Sequence, residues 1–112
     1  MIPFNRPFLP ERALSYVAEV YRSGKVSGDG IFSRRCEAFF TSRYACRRAL
    51  LTASCTDALE LAALLCLVQP GDEVILPSFT FVSTANAFAL RGARLVFVDS
   101  LPDHPNMDPA RV

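Results

Sequence analysis

Two short runs constrain this chain more than anything else in it: EVILP at residues 73–77 and RLVFVD at 94–99. Each is a continuous apolar stretch without polar alternation. That is the pattern of strands buried on both faces, which belong to parallel sheets covered by helices. Between them, VSTANAFAL at 82–90 reads as a helix that ends at Gly92. Upstream the alternation repeats. Ala49–Ala53 is a short buried strand candidate, and a helix follows over 56–68. That helix is apolar nearly all round from Leu59 through Val68, so it is expected to be buried on most sides. Pro70-Gly71-Asp72 is a turn. The order strand, helix, strand, helix, strand predicts an α/β fold with a parallel or mixed sheet.

The first third is different. Residues 10–23 read as a helix with Pro10 in its first turn, where a missing N–H costs nothing. Glu11 and Arg22 suit the two ends of its dipole. Leu14, Val17, Ala18 and Tyr21 form one apolar stripe, and Gly24 is a natural stop. GKVSGDG at 24–30 is a glycine-rich loop that matches neither G-x-G-x-x-G nor the lysine-bearing phosphate loop. A second helix is expected over about 32–43, with Phe32, Cys36, Phe39 and Phe40 on one face.

A length of 112 residues suits one domain or part of one, and 51% hydrophobic content with 21% charged is a globular composition. The net charge of +1, with only the doublets Arg34-Arg35 and Arg47-Arg48 as basic clusters, argues against a nucleic-acid partner. The start MIPFNRPFLPERA lacks the apolar core of a signal peptide. The longest apolar run, Leu61–Val68, is too short to span a bilayer. A cytoplasmic protein with no membrane partner is expected. Its four cysteines (Cys36, Cys46, Cys55, Cys66) contain no C-x-x-C pair, so reduced and mostly buried thiols are expected. The one histidine, His104, reads as an exposed loop residue, and nothing in the spacing suggests a metal site.

Chemistry concentrates at two junctions. In LLTASCTDALELAALL, residues 50–65, the small polar residues Ser54, Cys55 and Thr56 stand where a helix begins. The first N–H groups of a helix have no internal partners. With the dipole they make an anion site, most often for phosphate. Ser54 with Asp57 also fits a capping box. The two readings are compatible, since one side chain can cap while free N–H groups bind an anion, although the Asp57 carboxylate opposes a phosphate unless it points away. The second junction, PSFTFVSTANA at 77–87, lies beyond the carboxyl end of the EVIL strand, where open α/β sheets bind ligands. Phe79 and Phe81 there are either core aromatics or a flat surface for stacking on a ring.

Read together, SCTDAL and GDEVILPSFTFVSTANAFALRGARLVFVD resemble the sugar aminotransferases of the DegT/DnrJ/EryC1/StrS family, which make amino-deoxy nucleotide sugars. MIPFNRP and SGKVSGDGIFSRRCEAFF resemble it too, so the likeness runs the length of the chain. Within the family it points to the branch of dTDP-4-amino-4,6-dideoxygalactose transaminases, which serve enterobacterial surface polysaccharides such as the common antigen and lipopolysaccharide. The resemblance implies the large domain of the aspartate aminotransferase architecture (fold type I), present as its N-terminal part with an incomplete sheet. Residues 1–30 would be an arm, helix and glycine-rich loop, and 31–112 a partial cofactor-binding domain. It implies pyridoxal 5'-phosphate (PLP) as cofactor. Cys55, Thr56 and the N–H of Asp57 would hold its phosphate, and Phe81 would stack on its ring. It implies glutamate as amino donor, a dTDP-4-keto-6-deoxy sugar aminated at C4, and a homodimer.

PLP chemistry also needs a lysine to carry the cofactor and a carboxylate for the pyridinium nitrogen. In the family both lie further along than Val112. Lys25, the only lysine here, does not match the catalytic position. The chain alone is therefore expected to be inactive and marginally folded. Three readings stay open: a piece of an aminotransferase, a piece of the family's dehydratase branch, and a small non-catalytic interaction module or functionless truncated product.

Overall fold

The structure, a computed structural model, describes residues 2–112, so the initial residue of the expected arm and of the MIPFNRP segment lies outside the described residues. The chain forms two compact units, Met1–Leu51 and Thr52–Val112.

The first unit holds α1 (Ala13–Arg22) and α2 (Ile31–Tyr44). The helix expected from residue 10 begins three residues later, with Pro10 supplying the carbonyl that Ala13 N–H meets at 2.9 Å. Gly24 follows the end of α1 at φ +70°, a conformation that glycine adopts without Cβ strain. The two helices meet through Tyr16 and Phe32, whose ring centroids are 5.1 Å apart. The Arg35 guanidinium lies 5.1 Å from the Phe32 centroid and 3.5 Å from Glu19 Oε1. The expected stripe of α1 does not make this contact: Leu14, Val17 and Tyr21 are exposed, and the Tyr16 edge meets α2 instead. On α2, Cys36, Phe39 and Phe40 are likewise exposed.

In the second unit, α3 (Cys55–Leu65), β1 (Glu73–Pro77), α4 (Val82–Ala89) and β2 (Arg94–Val98) follow in order. The strands pair in parallel, with Glu73 opposite Arg94 and Pro77 opposite Val98, as the two apolar runs predict. The ladder is prolonged by Ser78 N–H donating to Val98 O at 2.8 Å. Among the described residues the buried ones are Ala63, Val68, Leu76, Ala87 and Val98, one from each element and one from the turn after α3. Beyond β2 comes an antiparallel hairpin that the sequence reading did not foresee: β3 (Ser100–Leu101) and β4 (His104–Met107), then a single 3₁₀ turn at Pro109–Arg111. His104 thus lies in a strand, not a loop, with its Nδ1 accepting from Asn106 N–H at 3.1 Å.

Three expectations fail for one reason. Ala49–Ala53 forms no strand. Leu64, Leu65 and Leu67 of the apolar helix region face solvent. All four cysteines are exposed. A strand exists only where a neighbour accepts its hydrogen bonds, and an apolar face is buried only where another element covers it. Among the described residues no such neighbour meets these segments. The two-stranded parallel sheet likewise keeps an edge of each strand unpaired among the described residues.

Candidate functional site

The start of α3 is capped as the sequence predicts. Ser54 is extended (φ −149°, ψ 164°), and its Oγ accepts the Asp57 N–H at 3.1 Å. The N–H groups of Cys55 and Thr56, the first two of the helix, have no helical carbonyl to reach. The Asp57 N–H is engaged by the cap, and the Asp57 side chain is exposed in the first turn.

The second junction leads from the carboxyl end of β1 through residues 78–81 into α4. Phe81 is the residue before the helix, extended at φ −73° and ψ 145°, and makes no side-chain cap. Phe79 and Phe81 are 73% and 74% exposed, so neither is a core aromatic. Thr80 Oγ1 donates to Thr84 Oγ1 at 2.9 Å across the helix start.

The structure brings the two junctions together. Thr56 Oγ1 and Ser83 Oγ are 2.9 Å apart in a half-buried hydrogen bond. Each is the second residue of its helix. Past the other ends of the helices, Arg91 Nε donates to Val68 O at 3.3 Å. Bonds between the starts and between the ends mean that α3 and α4 run side by side in the same direction. Two helix N-termini, each carrying about half a positive charge, therefore adjoin at the carboxyl end of β1. The free N–H groups of Cys55 and Thr56 and the hydroxyls of Thr56 and Ser83 meet there, with the Asp57 carboxylate exposed in the same turn. Those N–H groups and hydroxyls are the donor set an anion requires. Ser83 escaped the sequence reading, although its place in the second helix repeats that of Thr56 in the first.

Residues 8–112 match the model of the DegT/DnrJ/EryC1/StrS aminotransferase family. The chain belongs to that family. It is 38% identical over 111 residues to the UDP-4-amino-4-deoxy-L-arabinose–oxoglutarate aminotransferase of Shewanella sediminis, covering 99% of this chain and 28% of that one. Among solved structures it resembles a sugar aminotransferase from Streptococcus pneumoniae in its PLP form (TM-score 0.85, 32% identity, 96% of this chain and 27% of that one). The same enzyme has been solved in a PMP form. It also resembles the aminotransferase TlmJ from Streptoalloteichus hindustanus (TM-score 0.83, 39% identity, 100% of this chain and 31% of that one). The chain thus spans between a quarter and a third of the length of these relatives.

These neighbours are PLP enzymes of fold type I, and the chain has the architecture of the N-terminal part of their large domain, with an incomplete sheet. PLP is the cofactor of the family. The donors at the paired helix starts suit its phosphate: the free N–H groups of Cys55 and Thr56 and the neutral hydroxyls of Thr56 and Ser83. Among the described residues no helix is long and apolar enough to cross a membrane, and no cluster of His, Cys, Asp or Glu is placed to hold a metal ion.

Proposed function

We propose that this chain forms the cofactor-phosphate corner of a PLP-dependent aminotransferase acting on a nucleotide-linked 4-keto sugar. Cys55 and Thr56 would hold the phosphate through their N–H groups, with Thr56 adding its hydroxyl. Asp57 would contribute its N–H in exchange for the Ser54 cap. Phe81, exposed at the mouth of α4, would lie against the pyridine ring. The observation that carries this reading is the Thr56–Ser83 bond, which joins the two junctions at one place. When bound, the cofactor supplies an electron sink for moving an amino group between carbon atoms. The residues of this chain bind its phosphate, orient its ring and keep one face of it from water. Lys25 lies in the loop between α1 and α2 and is given no part in the chemistry.

The name of the S. sediminis relative places an amino group at C4 and pairs it with oxoglutarate, the keto acid of glutamate. We therefore take glutamate as donor and C4 as the aminated carbon. The resemblance of the chain to the dTDP-4-amino-4,6-dideoxygalactose transaminases favours a dTDP-linked 4-keto-6-deoxy sugar, made for a surface polysaccharide by a cytoplasmic homodimer. The S. sediminis relative favours a UDP-linked pentose instead.

The test starts from the protein as its source cells make it. The bound vitamin B6 is released and measured, and 2-oxoglutarate formation from glutamate is followed with dTDP- and UDP-linked 4-keto sugars. Bound B6 and 2-oxoglutarate with one sugar support the reading and choose the nucleotide. A protein holding no B6 and forming no 2-oxoglutarate sinks it.

A further inference from the structure

Threonine in a helix has two comparable rotamers, one of which turns its hydroxyl back onto the carbonyl a turn earlier. Thr56, the second residue of α3, has no helical carbonyl a turn earlier to turn back onto, and its Oγ1 reaches across to Ser83 Oγ on the neighbouring helix. Both residues are half-buried, so the pair is partly shielded from competing water. Two hydroxyls hold two protons, and their mutual bond uses one, whichever of them donates. No further hydrogen bond joins either hydroxyl to a described residue. One proton is left over, beside the free N–H groups at the start of α3.

Resting on the reading that the start of α3 holds a cofactor phosphate, we propose that Ser83 is a positioning residue for that phosphate. Its hydroxyl holds the Thr56 side chain in one rotamer, turned toward α4. When Ser83 donates to Thr56 Oγ1, the Thr56 O–H is the one left over for an anion. A phosphate meeting a side chain already held in one rotamer avoids the cost of freezing that side chain. A hydrogen bond to a charged acceptor is also stronger than one between neutral groups. Ser83 acts through Thr56 and has no role in amino transfer itself.

The experiment compares the protein purified from source cells with Ser83→Ala and Ser83→Thr made at the genomic locus. Each is stripped of cofactor, and binding of PLP and of pyridoxal, which lacks the phosphate, is measured by equilibrium dialysis. Ser83→Ala is expected to weaken PLP about tenfold, the effect of one lost hydrogen bond to a charged group, and to leave pyridoxal unchanged. Ser83→Thr, which keeps a hydroxyl, is expected to restore PLP binding. Equal weakening of both ligands by Ser83→Ala would mean a packing role and overturn the proposal. Unchanged PLP binding in Ser83→Ala, or no recovery in Ser83→Thr, would overturn it too. If the unsubstituted protein binds no PLP, the failure lies in the parent reading, and that is visible without any variant.

Discussion

Gly92 lies against the ring of Pro70: a Cβ on Gly92 would come within 2.7 Å of Pro70 Cγ, and the glycine sits at φ +84°. The contact closes the α4–β2 turn onto the turn after α3. A proline ring cannot swing aside as a flexible side chain would. Gly92→Ala should therefore combine left-handed backbone strain with a steric clash, for a loss of roughly 2–4 kcal/mol. Gly24, at φ +70° with open space around it, should show the strain alone when changed to alanine. Thermal melts of both variants, made at the genomic locus and purified from source cells, check this. A Gly92→Ala melt no lower than that of Gly24→Ala would refute the clash.

Leu67 occupies the opposite situation, a branched residue where glycine belongs. It follows α3 at φ +56°, with its N–H donating to Leu64 O at 3.0 Å and the Val68 N–H to Ala63 O at 3.1 Å. That pair of bonds is a Schellman ending, and Val68 and Ala63 make its apolar contact in the core. The Leu67 side chain is 78% exposed and contributes little burial in return for its strained backbone. Leu67→Gly is expected to raise stability by about 1 kcal/mol. A lower melting temperature would mean that the Leu67 side chain is covered by something in the working protein.

These turns show which parts of the fold the sequence made legible. EVILP and RLVFVD declared themselves as parallel strands because continuous apolar runs between turn residues have few other uses. Ser54 declared a cap because its partner, Asp57, is three residues away. What was not legible depends on partners distant in sequence. Ala49–Ala53 has strand composition and no neighbouring strand. The stripe of Leu14, Val17 and Tyr21 has helical spacing and no cover. Of the candidate site, Thr56 and Phe81 could be proposed from local pattern and resemblance. The approach of Ser83 to Thr56 is set by the packing of two helices, which no local pattern reports.

Phe81 and Phe79 offer a sharper test than their similar exposure suggests. Each is about three-quarters exposed, so truncating either should cost the fold little. If Phe81 alone meets the cofactor ring, Phe81→Ala should weaken PLP by about 0.5–1.5 kcal/mol beyond lost area, and Phe79→Ala should not. Phe81→Trp should keep the stack. Absorbance titration with PLP measures all three. Equal losses for the two alanine variants would remove Phe81 from its assigned place.

Thr56→Val preserves shape and removes the hydroxyl that Ser83 meets. PLP affinity should fall about tenfold or more, with a small change in melting temperature, since the bond is only half-buried. Thr56→Ser should retain most of the affinity. A valine variant that melts much lower but binds PLP as well as before would place the hydroxyl pair in the fold rather than in the site.

The last prediction concerns surface. The chain exposes 9515 Å². A folded monomer of 12.3 kDa exposes about 6,100 Å², and even two separate bodies of half that mass expose about 7,400 Å² together. The excess is about 2,000 Å² or more, comparable with a whole protein–protein interface. Much of it is apolar: Phe4, Phe8, Leu50, Leu65 and Phe97 all face solvent. The unpaired edges of β1 and β2 add backbone groups that invite a further strand. Expressed by itself, the 112-residue chain is therefore expected to bind a hydrophobic dye, to self-associate on sizing and to lack a sharp melt. The protein made by source cells, measured intact by mass spectrometry and then sized, should show neither dye binding nor aggregation. A sharply melting, dye-silent monomer of the isolated chain would mean that these faces need no cover, and would favour a free-standing interaction module over part of an aminotransferase.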